Sequence, residues 1–325
     1  MLKLDNVTAS YKMLDGDVVA VKDVNMIINN NEIFGIAGES GCGKSTLLKV
    51  MYDILEFPLQ IDKGKVTLSG VRDGQEFSFD SGEIRKNWWS HISYVPQAAM
   101  SVLNPITRLK HQFLDSIPKA DKRRESRGQT LKRVTEYLVE LNLSPEVLNA
   151  YPFQLSGGMR QRCIIALATF MQPKPNVILA DEPTTALDVV VQRGILMLLM
   201  KLQKQYQNTM ILVSHDLGVH YQITDRIGIM YSGSMMEVGK TEEIFANPKH
   251  PYTQMLISAL PRVGDKSARE GIPGRPPSLK NPPAGCRFAA RCPKAIPACS
   301  TDVPIYREIS EGHYAACHLL NKEEM

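Results

Sequence analysis

Apolar and polar positions alternate near the start of the chain, with Leu2, Leu4 and Val7 as apolar members, which predicts a strand ending at Tyr11. Residues 18–28 predict its antiparallel partner, with Leu14-Asp15-Gly16-Asp17 as the turn. Ile33-Phe34-Gly35-Ile36-Ala37 is a continuous apolar run, read as a buried strand, and residues 45–52 begin a helix. A third strand is expected over 65–68, after a turn at Gly64, and a short one over 91–95, closed by Pro96. Between Pro105 and Tyr151 the period changes. Leu131, Val134, Leu138 and Leu141 recur at helical spacing, and charges cluster over 119–127. This stretch reads as a helical subdomain inserted into an α/β core. Residues 177–180 and 210–213 are apolar throughout and predict central parallel strands covered on both faces. Pro273, Pro276, Pro277, Pro282 and Pro283 exclude regular structure over 272–283, so that stretch is read as a linker.

The junction between the 33–37 strand and the helix after it carries chemistry. Gly38-Glu39-Ser40-Gly41-Cys42-Gly43-Lys44-Ser45-Thr46 fits the phosphate-loop pattern G-x-x-x-x-G-K-[ST]. Gly38, Gly41 and Gly43 allow turns that aim successive N–H groups at phosphate oxygens. Lys44 supplies a point charge for the β- and γ-phosphates, the Ser45 hydroxyl can ligate Mg²⁺, and the following helix presents its N-terminus. The predicted ligand is therefore a nucleotide. A second constellation, Val177-Ile178-Leu179-Ala180-Asp181-Glu182, is an apolar strand ending in two carboxylates. Asp181 suits the Mg²⁺ water shell, and Glu182 can orient or deprotonate an attacking water. In a third, Leu155-Ser156-Gly157-Gly158-Met159-Arg160-Gln161, Ser156 caps a helix and Gly157-Gly158 bare its first N–H groups, which makes a second anion site.

Composition narrows the setting. The 325 residues allow one large domain with an appendage or two domains, and 43% hydrophobic content supplies a core. A formal charge of +4 is small for this size and argues neither for nor against nucleic acid, which is not among the expected partners. No run of about 18 apolar residues occurs, and the N-terminus carries Asp5 and no apolar core of a signal peptide, so a cytoplasmic chain is expected. Four of the six cysteines fall in the last 40 residues, which marks a domain boundary.

These motifs occur in the order of an ABC-type ATPase: the phosphate loop, Gln97 after a strand, Leu-Ser-Gly-Gly, Asp181-Glu182, Ala186-Leu187-Asp188 and His215. The chain resembles that family over residues 1–260. The resemblance implies a phosphate-loop ATPase fold with an antiparallel β subdomain, a helical subdomain over about 98–170, and a small cysteine-containing domain over 261–325. It implies ATP and Mg²⁺ as ligands, bound by Tyr11 on the adenine, by Gly38, Ser40, Gly41, Cys42, Gly43, Lys44, Ser45 and Thr46 on the phosphates, and by Ser45, Gln97 and Asp181 around the metal. Glu182, His215, Gln97 and Lys44 are then the catalytic set. Ser156, Gly157 and Gly158 would serve the ATP of a second ATPase subunit, with Asp188 crossing the dimer interface.

Finer features resemble the oligopeptide/dipeptide importers: Gln97-Ala98-Ala99-Met100-Ser101-Val102-Leu103-Asn104-Pro105, Glu182 to Val189, His250-Pro251-Tyr252-Thr253, and the tail motifs Gly285-Cys286-Arg287-Phe288 and Arg291-Cys292-Pro293. Gly158-Met159-Arg160-Gln161-Arg162 is similar to the D-type of that family's two ATPase subunits. The implied partners are an F-type ATPase subunit, two membrane permeases and, indirectly, a solute-binding protein, at the cytoplasmic face of the membrane. Ala98-Ala99 replaces the usual Asp-Pro, and Trp88-Trp89 replaces a smaller, polar pair. The sequence argues against a DNA-repair or chromosome ABC ATPase, because no sustained heptads separate Tyr52 from Ser156. A redox-sensing regulator that binds ATP without turnover is the other alternative.

Cys286, Cys292, Cys299 and Cys317 give the spacing C-x5-C-x6-C-x17-C. Four thiolates suit Zn²⁺ or an iron–sulfur cluster, the tight C-x2-4-C zinc knuckle is missing, and free or disulfide cysteines remain open. The resemblance favours a [4Fe–4S] cluster. The tail is expected to use it as a structural staple, remote from the phosphates. Cys42 and Cys163 read as small packed residues.

Overall fold

The phosphate loop owes its position to the strand before it. Every residue of Ile33–Ala37 is buried, so the apolar run becomes a core strand, and the chain leaves it through left-handed glycines that no helix or strand can absorb. The computed structural model describes residues 1–72, 74–97, 102–117, 125–260 and 271–320. Ala98-Ala99 and most of the 119–127 charge cluster lie outside the described residues. In chain order the first elements are β1 (Leu2–Tyr11), β2 (Val18–Ile28), β3 (Ile33–Ala37), α1 (Lys44–Met51), β4 (Leu59–Arg72), β5 (Gln75–Asp80) and β6 (Ile92–Val95). Then come α2 (Leu109–Ser116), α3 (Arg127–Glu140), α4 (Gly157–Thr169), β7 (Val177–Asp181), α5 (Val189–Tyr206) and β8 (Thr209–Val213). The last are α6 (Leu217–Ile223), β9 (Arg226–Tyr231), β10 (Ser234–Lys240), α7 (Thr241–Ala246), α8 (Pro251–Ser258), α9 (Ala298–Thr301), β11 (Tyr306–Ser310) and β12 (His313–Ala316).

The chain forms two units. The first comprises residues 1–85 and 211–325. It holds an antiparallel sheet of order β2-β1-β4-β5, in which Leu4 faces Met26 on one side and Val66 on the other. The strand expected over 65–68 is in fact the fourteen-residue β4, because Leu59 to Lys63 also pair with β1 across a register shift. Its partner β5 was not expected; it pairs through Gly70 and Phe77 after the tight turn at Gly74. In the same unit β3 pairs in parallel with β9, and β10, β12 and β11 follow in antiparallel order. The C-terminal hairpin β11–β12 thus extends the sheet that carries the phosphate loop. Residues 271–283 contain no helix or strand, as five prolines require.

The second unit, residues 86–210, contains the helices α2 to α5 and the parallel pair β6–β7, in register from Ile92 opposite Val177 to Val95 opposite Ala180. Helix α3 starts at a capping box, Ser126 with Gln129, and buries Val134, Tyr137 and Leu138. Tyr137 donates to Thr169 on α4 at 2.8 Å, and Phe113 meets Phe170 edge-on at 5.4 Å. Burial beside these rings lowers the Lys174 ammonium to about 8, with its nitrogen 3.7 Å from the Tyr137 ring centre.

Candidate active site and its family

The first unit assembles the phosphate loop. Gly38 has φ 152°, and a Cβ there would stand 2.1 Å from the Met230 carbonyl oxygen. Gly43 has φ 107°, with the Ala20 carbonyl oxygen 2.2 Å from a Cβ. Only glycine lets the backbone pass these two carbonyls and turn into α1. Lys44 is buried, and its ammonium donates to the Gly38 and Glu39 carbonyls at 2.8 and 2.9 Å. The Tyr11 hydroxyl lies 3.1 Å from Thr46 Oγ1, which holds the ring beside the loop, where an adenine could stack. Cys42 is packed, with burial pushing its thiol up, and Ser40 and Gly41 are exposed at the loop's tip.

His215 is exposed just after β8, and the Ser214 amide donates to the Ile36 carbonyl of β3 at 3.4 Å. His220 sits beneath it and had no signal in the sequence. Its Nε2 is 3.1 Å from the Ser214 carbonyl, and burial pushes its pKa down to about 4, so it supports this turn as a neutral ring. Burial also lowers His250 to about 4; its Nδ1 accepts the Tyr252 amide at 3.0 Å. Both rings take up protons on unfolding at pH values between about 6.5 and 4, so stability falls as pH falls through that window. The slope is up to about 1.4 kcal/mol per pH unit for each ring. Glu237 adds to the loss. Burial raises its carboxyl, but His313 at 2.8 Å and the Lys249 and His250 amides outweigh that and leave it below the usual range. Thermal unfolding of the intact chain should therefore show a midpoint that drops steadily from pH 6.5 to 4. A flat profile would mean that these rings carry their protons in the fold.

The second unit assembles the carboxylates. Asp181 is buried at the end of β7 and accepts the Tyr94 hydroxyl at 2.9 Å. Glu182 follows with φ 44°, a left-handed backbone that costs a glutamate on the order of 1–3 kcal/mol. Gln97 Nε2 and Thr185 Oγ1 both donate to Glu182 Oε2, at 3.2 and 2.7 Å. Both donors meet the same carboxylate oxygen, which fixes the orientation of the Glu182 carboxylate next to Asp181. Tyr94 and Thr185 were missed because each works through one bond to a motif residue. Ser156 caps α4 by accepting the Met159 amide at 3.3 Å, and Asp188 caps α5 by accepting from Val190 and Val191. Two Trp residues precede β6, with Trp89 at φ 67° and its amide bonded to the Ile92 carbonyl.

The tail carries four free thiols. Cys286 is raised to about 11 by burial and by its neighbours Cys299, Cys317 and Cys292, against an opposing bond from the Phe288 amide. Burial also raises Cys292 and Cys317, each opposed by an amide two residues on, Lys294 and Leu319. Among the described residues no three His, Cys, Asp or Glu are arranged to hold a metal ion. The cluster is expected far from the phosphates, but the tail that would carry it reaches the phosphate loop through one side chain. Arg291 lies between Cys286 and Cys292, and it pairs with Glu39 inside the phosphate loop at 2.6 Å. No helix among the described residues is long and apolar enough to cross a membrane.

The family model for ABC transporters matches residues 21–185, and that for the oligopeptide/dipeptide transporter C-terminal region matches 236–299. The chain is 38% identical to the dipeptide transport ATP-binding protein DppD of Caldanaerobacter subterraneus subsp. tengcongensis, over 98% of this chain and 97% of that one. It is also 38% identical to the oligopeptide transport ATP-binding protein AppF of Bacillus subtilis, over 94% and 90%. Among solved structures it resembles the dimeric ATP-binding cassette MJ0796 in a post-hydrolysis state bound to ADP and Pi. The identity is 32% and the TM-score 0.61, covering 74% of this chain and 99% of that one. The chain therefore belongs to the ABC transporter family and is an ATPase, the ATP-binding subunit of an importer of the oligopeptide/dipeptide branch.

Proposed function

We propose that this chain drives uptake of oligopeptides or dipeptides as one of two different ATPase subunits beneath a pair of permeases, at the cytoplasmic face of the membrane. Residues 1–260 form the cassette in this reading, and 261–325 its C-terminal domain. The observation that carries the chemistry is the Gln97 amide on the Glu182 carboxylate, next to Asp181. It couples the residue that touches Mg²⁺ to the residue that activates water. Lys44 and the loop N–H groups clamp the β- and γ-phosphates, Tyr11 stacks on adenine, and His215 contacts the γ-phosphate. Ser45 and Gln97 would hold Mg²⁺, whose charge offsets that of the phosphates. Ser156, Gly157 and Gly158 serve the partner's nucleotide at the N-terminus of α4.

Glycine and methionine at 158–159, in the D-type signature, favour an F-type partner over a second copy of this chain. Purified alone, the chain should be a monomer with weak ATPase activity, and adding an F-type subunit with the permeases should raise turnover by an order of magnitude or more. Strong, cooperative hydrolysis by the chain alone would replace that partner with a second copy.

The tail is proposed to hold a [4Fe–4S] cluster on Cys286, Cys292, Cys299 and Cys317. What supports it is donor type alone: four free thiols, three of them met by an amide two residues on, are the ligands a thiophilic centre takes, and their described placement, which holds no metal-ready group of three, would have to close around it. The cluster would tie a small, weakly apolar segment together. Anaerobically purified protein should contain about four irons per chain. One zinc and no iron would assign zinc instead, and neither metal would leave four thiols.

A further inference from the structure

Arg291 is the one strong charge link between the tail and the phosphate loop among the described ion pairs. It sits in the helical turn Ala289–Arg291, and its side chain is only 5% exposed. Every guanidinium nitrogen is used. Nη1 donates to Glu39 Oε2 at 2.6 Å and to the Tyr231 hydroxyl at 3.1 Å. Nη2 donates to Glu39 Oε1 at 2.9 Å and to the Ile272 carbonyl at 3.0 Å, and Nε to the Pro273 carbonyl at 2.7 Å. The contact to Glu39 is a two-pronged fork, which fixes orientation as well as distance.

Glu39 passes this constraint on. Its carboxylate is held by Arg291, its amide donates to the Tyr252 hydroxyl at 3.1 Å, and its carbonyl accepts the Lys44 ammonium at 2.9 Å. All three polar groups of one loop residue are thus anchored, and one of them orients the lysine that meets the phosphates. On the tail side the turn is tied to the thiol region. The Cys286 amide donates to the Cys299 carbonyl, the Arg291 amide to Phe288, and the Cys292 amide to Ala289. Phe288 packs at 5.2 Å against both Tyr231 and Tyr252, the rings whose hydroxyls serve Arg291 and Glu39.

We propose that Arg291 is a positioning residue for the ATP site: through Glu39 it holds the loop carbonyl that orients Lys44, so that nucleotide affinity depends on the folded state of the cysteine-bearing tail. This rests on residues 38–46 being the ATP loop. A tail that loses its thiol-centred fold releases Arg291, Glu39 turns to solvent, and the loop loses one of the anchors of its ATP-ready shape. The loss falls on binding more than on the chemical step, because Arg291 meets the loop and no reacting atom.

The test measures Mg·ATP affinity of the intact chain by calorimetry. Arg291→Met and Glu39→Gln should each weaken binding about tenfold, within the usual range of coupling between sites. The double variant should be no weaker than the worse single one, since one link is broken twice. Arg291→Lys, which keeps one charge but not the fork, should fall between. In the assembled transporter the KM for ATP of Arg291→Met should rise by more than kcat falls, a split that general destabilisation does not produce. Cys292→Ser should weaken ATP binding in the wild-type background and add nothing to Arg291→Met. Wild-type affinity in both Glu39→Gln and Arg291→Met, or losses that multiply in the double variant, would overturn the proposal. If Arg291→Met fails to fold, Glu39→Gln alone decides, because it leaves the tail's own sequence intact. A wild-type chain that binds no Mg·ATP would remove the ATP-loop reading, and this proposal with it.

Discussion

Replacing Glu182 by glutamine is expected to lower ATP turnover of the assembled transporter by about 10²- to 10⁴-fold, the usual worth of a general base. The substitution changes one atom. A glutamine amide can turn its oxygen toward the two donors, Gln97 Nε2 and Thr185 Oγ1, so the local bonds survive. The left-handed backbone at 182 is equally costly for either residue. What disappears is the capacity to take a proton from water. Mg·ATP should still bind, and the bound form should persist as a closed pair of ATPase subunits, visible as a larger species by size-exclusion chromatography. Turnover within threefold of wild type would remove Glu182 as the base.

Lys44→Ala should act one step earlier. The ammonium is buried and donates to two loop carbonyls, so its loss takes the ammonium donor from the Gly38 carbonyl, leaves the Glu39 carbonyl with the Cys42 amide at 3.3 Å, and leaves the incoming phosphates without a cation. Two charge-assisted bonds at about 1.5 kcal/mol each predict a loss of about 3 kcal/mol, or roughly 100-fold in ATP affinity. Calorimetric titration checks this, with thermal unfolding of the same sample to show that the fold is kept. Affinity within threefold of wild type would mean that the loop amides alone carry the phosphates.

Local pattern carried much of this architecture. Ile33 to Ala37 could only be a buried strand, and the glycines after it could only be a turn, so the loop was legible to the residue. Gln97, Asp181 and Glu182 were legible as motif members, yet their bonds to each other were not, because residues 97 and 182 meet only in the folded unit. The missed strands share a cause. Strand β5 is short and nowhere fully buried, and β11 pairs with β12, which in turn pairs with β10 more than 70 residues upstream, so periodicity within a window says little about them. Arg291 and Glu39 are 252 positions apart, and each looks locally like an ordinary surface charge. The aromatic ring cluster under them, Tyr231, Tyr252 and Phe288, is likewise drawn from three separate segments. The tail's apparent independence in the sequence, set off by prolines and cysteines, therefore concealed its anchorage on the loop.

The most direct test of the account is peptide uptake into vesicles that contain this chain, an F-type ATPase subunit, two permeases and the binding protein. Phosphate release is recorded at the same time. Di- and oligopeptides should accumulate only with Mg·ATP, phosphate release should rise with them, and both should vanish together when this chain carries Glu182→Gln. Uptake that continues with Glu182→Gln, or hydrolysis by the wild-type assembly that moves no peptide, would contradict it.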